Sequence, residues 1–250
     1  MIDTSFIMKS DTPIGKDPDR YSPTLRKYHS ILWSKSLPSG EFFKLDLDIP
    51  NLLHHNSNLG EFYLSSDCIG HTYRKFKSLK KIINEVGVNE IKSFSEKCGT
   101  IGGYIIFPSN RINNQMTING SRGCNHKIKD RFDLTLECIR RFYLNQNSPL
   151  SKTLERYSDF FNLFKNFSGY VNFFHLQDLL TKDSKRINFF LPNKEFSLSP
   201  LPKSREEYLE YKKNILTFIK LRNQRIDDFI NDNVSIVSNQ LPLSELKSNF

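Results

Sequence analysis

A chain of 250 residues with 21 Phe, 10 Tyr and 38% hydrophobic content has the material for one well-packed core, since each buried aromatic removes roughly 150–250 Å² from water. Its charged fraction of 25% is that of an ordinary globular protein rather than a disordered one, and no run reaches the roughly 18 apolar residues that a membrane-spanning helix needs. A net charge of +9 favours polyanionic partners, which is a statement about association and not about fold.

The first residues, MIDTSFIMKSDTPIG, show no basic start followed by an apolar run, so no secretory signal is expected. Cys68, Cys98, Cys124 and Cys138 are scattered without a CxxC pair, as reduced thiols of a cytoplasmic protein would be. Residues 1–20 read as an irregular lead-in. In SPTLRKYHSILWSK, Ser22 suits a helix N-cap and Pro23 the first helical position, with Leu25, Tyr28, Ile31 and Leu32 at helical spacing. EFFKLDLDI alternates apolar and polar residues as a half-buried strand does; after the polar stretch HHNSNLG, EFYLSSD reads as a second strand. The spacing predicts helix from Thr72 to Lys97 with a break at Gly87. Arg74, Lys77 and Lys81 then share one face and could meet a phosphate backbone or simply face water.

GGYIIFP reads as a buried strand ending at Pro108. The helix predicted from Asp130 to Tyr143 is apolar on two sides, through Phe132, Leu136, Ile139 and Tyr143 and through Leu134 and Cys138, which places it inside the domain. The aromatic stretch RYSDFFNLFKNFSGYVNFFHLQDLL reads as two short helices hinged at Ser168-Gly169, INFFLP as a strand, and 205–230 as a long amphipathic helix. Residues 231–250 read as a loosely held tail. The expectation is a single α+β domain over 1–250, with a small mixed sheet packed by several helices around a buried central one.

Between the strand and the central helix, Ser109, Asn110, Arg111, Thr117, Asn119 and Arg122 gather donors and acceptors where a strand end meets a helix entry, a common location for ligands. Arg111 and Arg122 could fork onto a phosphate or carboxylate, with Gly120 and Gly123 admitting backbone N–H groups close to the anion. The alternative is a loop whose polar groups bond their own backbone. Asp133 and Glu137, one turn apart, could act as acid and base or hold a divalent ion, with Arg140 beside them, or belong to a buried ion network with Arg140 and Arg141. Ser65-Ser66-Asp67 leads to His71, which reads as a general base, a phosphate anchor, or a capping residue. His54-His55 and Cys124-Asn125-His126 lack the ligand spacing of a structural zinc site, so no metal is expected. No Walker loop, GxSxG elbow, HExxH, kinase set or Rossmann glycine pattern is present.

The blocks DPDRYSPTLRKYHSILWSKSLPSG, GGYIIFPSNR, TINGSRG, KIKDRFDLTLECIRRFYL, YSDFFNLF and SPLPKSREEYLEY occur in order over residues 10 to 228. Together they resemble a family of bacterial proteins known only as a domain of unknown function. The resemblance implies an intracellular single-domain protein and carries no catalytic residue and no cofactor. The expected function is to bind or act on a phosphate-bearing ligand, a nucleotide, phosphorylated small molecule or nucleic acid, through 102–141. The alternative is a non-enzymatic interaction protein, RNA- or protein-binding, of a phage-response or toxin–antitoxin kind.

Overall fold

The computed structural model describes the backbone of residues 2–240 and side chains to residue 232. In chain order come α1 (Pro18–Tyr21), α2 (Pro23–Trp33), β1 (Lys35–Ser36), β2 (Phe42–Phe43), β3 (Leu53–Ser57), β4 (Gly60–Cys68), α3 (Lys80–Val86), α4 (Val88–Cys98) and β5 (Tyr104–Pro108). They are followed by α5 (Ile118–Cys124), α6 (Phe132–Tyr143), α7 (Ser151–Glu155), α8 (Ser158–Asn162), α9 (Phe167–Phe173) and α10 (Arg205–Gln240). This is the α+β architecture expected. Pairing is antiparallel throughout, however, in a β1–β2 ribbon and a sheet of order β3–β4–β5, rather than mixed.

The sheet is small because polarity interrupts it. Of EFFKLDLDI only Phe42–Phe43 is strand, with one further bridge from Asp46 to His54. The polar HHNS, by contrast, is β3. His55 lies buried there because each ring nitrogen is satisfied: Nδ1 donates to Lys44 O at 2.8 Å and Nε2 accepts from Ser57 Oγ at 2.8 Å, with Phe43 stacked at 4.2 Å. INFFLP makes only an isolated bridge, Leu180 to Ile187.

Capping follows the sequence closely. Ser22 Oγ accepts from Leu25 N at 3.1 Å with Pro23 in the first turn of α2. Gly87, at φ 92°, separates α3 from α4, a backbone angle that favours glycine. Residues 72–79 are turn and 3-10 structure, not α-helix, so Arg74, Lys77 and Lys81 do not form one helical stripe. The Ser168-Gly169 hinge lies inside α9; the chain reverses instead before it, at Lys165, φ 64°. The expected tail 231–250 continues α10 through Gln240, and 241–250 lie outside the described residues.

α6 is the buried central helix, with every residue from Phe132 to Ile139 buried. Along α10, Tyr208, Tyr211, Ile215, Phe218, Ile219 and Ile226 face the core. That helix is anchored by Arg222, fully buried and without a carboxylate partner among the described residues. Its guanidinium donates to Phe174 O, Gly102 O (2.9 Å) and Tyr104 O (2.6 Å), clamping α10 to the entry of β5 and the end of α9. Burial pushes its pKa down to about 9.

Arg222→Met keeps the volume but orphans three buried carbonyls. It is expected to lower unfolding free energy by about 3–5 kcal/mol, the scale of breaking a buried charged cluster, read as a reduced urea midpoint. A midpoint like the wild type's would show that these bonds contribute little.

Candidate functional site

The lead-in is structured, and it brings an acid to the sheet. Asp17 caps α1, its Oδ1 accepting from Asp19 N at 3.3 Å, and Pro18 fills the first helical position. Asp11 holds the next helix entry by accepting from Ser22 Oγ (2.7 Å) and Thr24 N (2.9 Å). α1 packs against β4. Asp19 therefore lies beside the end of that strand, with one donor atom each from Asp19, Asp67 and Cys68 within 4.8 Å of one another.

Asp67 is fixed from two sides. Oδ1 accepts from Cys68 N at 2.9 Å, and Oδ2 takes a short ion-paired hydrogen bond from Arg122 Nη1. Arg122 is fully buried and has little left to give a ligand. Nη1 also reaches Cys68 O (3.3 Å), Nε reaches Thr135 Oγ1 (3.2 Å), and Nη2 reaches Asp130 O (3.0 Å). The guanidinium thus ties β4 to the α5–α6 junction, and its role here is to set Asp67.

Burial, and then the charge of Asp67, hold the Asp19 carboxyl well above the ordinary aspartate range of about 3.8. Burial raises Asp67 too, but Arg122 opposes it. Of the two adjacent carboxyls, Asp67 is paired to a guanidinium and Asp19 is the one raised further. No protein group donates a hydrogen bond to the Asp19 side chain among the described residues. Cys68 is pushed well up by burial and is a protonated thiol, not a nucleophile. A divalent cation could find Asp19 and Asp67 together, but Arg122 already neutralises one and the thiol would have to lose its proton.

His71 sits at the rim. Its Nδ1 accepts from Tyr73 N at 3.0 Å, and burial followed by Arg122 lowers its pKa to about 4. The ring is then neutral with the proton on Nε2, a donor to a ligand rather than a base. His29 is similarly committed: Trp33 Nε1 donates to its Nδ1 at 2.9 Å, so Nε2 carries the hydrogen toward Ser66 Oγ at 3.0 Å. Ser66 is therefore not activated by His29. A cavity of about 10 Å³ lies among Asp19, His29, Ser65 and Ser66, room for about one water. Asn119 Nδ2 meets Ser65 Oγ and Ser66 O at 3.4 Å, while its buried Oδ1 has no partner.

The residues singled out in the sequence fall into separate surroundings. TINGSRGC is α5 rather than loop, with Thr117 Oγ1 accepting from Gly120 N at 3.3 Å, so Gly120 and Gly123 lie within a helix. Ser109 extends the ladder to Tyr63 O, Asn110 O accepts from Tyr157 Oη at 2.8 Å, and Arg111 is exposed. Asp133 is sealed: Arg131 forks onto it, and Phe190 N donates at 2.8 Å. Glu137 takes Arg140 through two bonds and Arg141 at 2.8 Å. Of these residues, Ser65, Ser66, Asp67, His71, Asn119 and Arg122 are in the Asp19–Asp67 region. Asp19 and Asp130 were not chosen from the sequence. The signal for Asp19 was the Asp-Pro-Asp cap inside the first resembling block.

Fold and site together define an α+β protein with a partly buried carboxyl pair steered by an internal arginine. The chain matches the model of the family of unknown function DUF6994 over residues 2–226, and it belongs to that family. No curated protein and no solved structure matches it.

Asp133→Ala would leave Arg131 buried without its counter-ion. It is expected to destabilise by about 3–5 kcal/mol in chemical denaturation; a loss below about 1 kcal/mol would mean that the carbonyls of Leu191 and Pro200 suffice for Arg131.

Proposed function

We propose that this protein is an enzyme that uses Asp19 as general acid and Asp67 as general base on a phosphate-bearing ligand. The observation that carries the reading is the asymmetry of the pair: Asp67 is charge-compensated by Arg122, while Asp19 has raised proton affinity and no protein donor. A hydrolytic step then balances. Asp67 takes a proton from water as the water oxygen bonds to phosphorus, the bond from phosphorus to the departing oxygen breaks, and Asp19 gives its proton to that oxygen, so the pair ends with the protons exchanged. His71 Nε2–H and the free hydrogen of Ser66 supply donors around the reacting atoms, and Lys75 and Lys129 add positive charge near His71 and Asp130. Within 102–141 the contribution is Arg122 and Asn119. Arg111 and the Asp133 and Glu137 clusters are set aside for this chemistry, the acids because they are buried and paired with their arginines, out of reach of a ligand.

The test is the protonation of Asp19. Carbon NMR of labelled aspartate carboxyls is expected to show one residue titrating well above the ordinary range, its signal absent in Asp19→Asn. Ordinary titration of Asp19 would remove the reading. Linkage gives a second check. The folded state holds this proton where the unfolded chain has lost it, so the group's contribution to stability falls as pH rises from about 3.8 through the raised value. Asp19→Asn should therefore flatten that fall and be at least as stable as wild type near neutral pH. With a turned-over substrate, either Asp→Asn change should cost roughly 10²–10⁴ in kcat.

A further inference from the structure

Around the acid pair, distant parts of the chain bring basic side chains together. Tyr73 Oη donates to Lys129 O at 2.9 Å, which joins the 71–77 segment to the 127–130 turn. Lys75 and Asp17 both act electrostatically on His71, so α1, with exposed Arg20, borders the same rim. Between Asp67 and Glu85 the chain has no acidic residue. Arg74, Lys75 and Lys77 are exposed and have no carboxylate in ion-pair reach among the described residues, whereas Lys81 meets Glu85 at 4.0 Å. A cluster of unpaired cations is held at a cost in mutual repulsion unless something anionic covers it.

We infer that the rim formed by 71–77 and 127–130 docks the phosphate backbone of a single-stranded nucleic acid and presents it to the Asp19–Asp67 pair. This rests on the preceding reading of that pair and names its substrate class. Several phosphates spaced along a strand match cations spread over two segments better than one phosphate of a free nucleotide would. The half-buried rings of His71 and Phe76, edge to face at 5.4 Å, offer an aromatic surface next to those cations. None of the exposed large hydrophobic side chains falls in 71–81 or 126–130, so the rim lacks the apolar groups that insert into a bilayer.

The experiment is fluorescence anisotropy of a labelled single-stranded RNA of about 20 nucleotides with the full chain, across salt concentrations. Each neutralised phosphate should contribute about −0.7 to the log–log slope, so three or four contacts give roughly −2 to −3. The triple variant Arg74→Glu, Lys75→Glu, Lys77→Glu should lose at least about tenfold in affinity and flatten the slope, while Lys213→Glu with Lys220→Glu on α10 should not. Equal losses in both variants, no binding at low salt, or binding to phosphatidylserine vesicles but not RNA would each overturn the inference. Asp19→Asn separates the two proposals. RNA binding that survives in it, with an ordinary Asp19 titration in the wild type, sinks the acid–base reading alone; a raised titration without RNA binding sinks this one alone.

Discussion

The burial of the Arg122 guanidinium governs the site half of the molecule. A cation removed completely from water must be repaid by hydrogen bonds in fixed directions, and Arg122 finds them on β4, at Asp130 before α6, and on Thr135 within α6. Three elements are thereby set in distance and register by one planar group. The orientation of Asp67 follows from it, while the raised proton affinity of Asp19 comes first from burial and then from the charge of Asp67.

The same device recurs. Arg131 joins the start of α6 to Leu191 O and Pro200 O, and so fixes a long irregular stretch that hydrophobic packing alone would leave adjustable. Arg222 does this for α10. With only a three-stranded sheet, much of the chain between α9 and α10 has no ladder to hold it, and carbonyls bonded to buried guanidinium groups take the place of strand pairing. The aromatic cluster of Phe160, Phe161, Phe164, Tyr170, Phe173 and Phe174 fills the volume between these fixed points, with ring centroids about 5–6 Å apart.

Periodicity and caps made α2, α4, α6, β4 and β5 legible, because each carries a local signal: Ser22-Pro23, Gly87, the two-sided apolar pattern of α6, and β-branched runs. Elements defined by tertiary satisfaction were not. His55 reads as polar until Lys44 O and Ser57 are seen to saturate it, and INFFLP reads as a strand although its pairing with 179–181 stops at a single bridge. The site shows the same division. Arg122 and Asn119 stood out by type and position, and His71 by its place at a strand end. Asp19 and Asp130 did not: Asp19 reaches Asp67 only because α1 packs against β4, a fact of topology, and Asp130 meets Arg122 through its backbone carbonyl, which no side-chain pattern announces. Arg131 was overlooked beside Asp133 for a related reason: an i, i+2 pair at a helix start lies outside the i, i+4 rule that helical periodicity supplies.

The position of Asp19 on α1 also ties the pair to the start of the chain. Its segment is held by a few polar ties, Asp11 to Ser22 and Thr24 and Thr4 to Asp227, and by the buried side chains of Ile2 and Met8. The carboxyl pair exists only where this arm lies against the sheet. Asp19 and Asp67 lie far apart in sequence, so the pair depends on contact between the start of the chain and β4 rather than on either segment alone. Loosening of the arm at Asp11, Ser22 and Thr24 would part the two carboxyls without altering either residue.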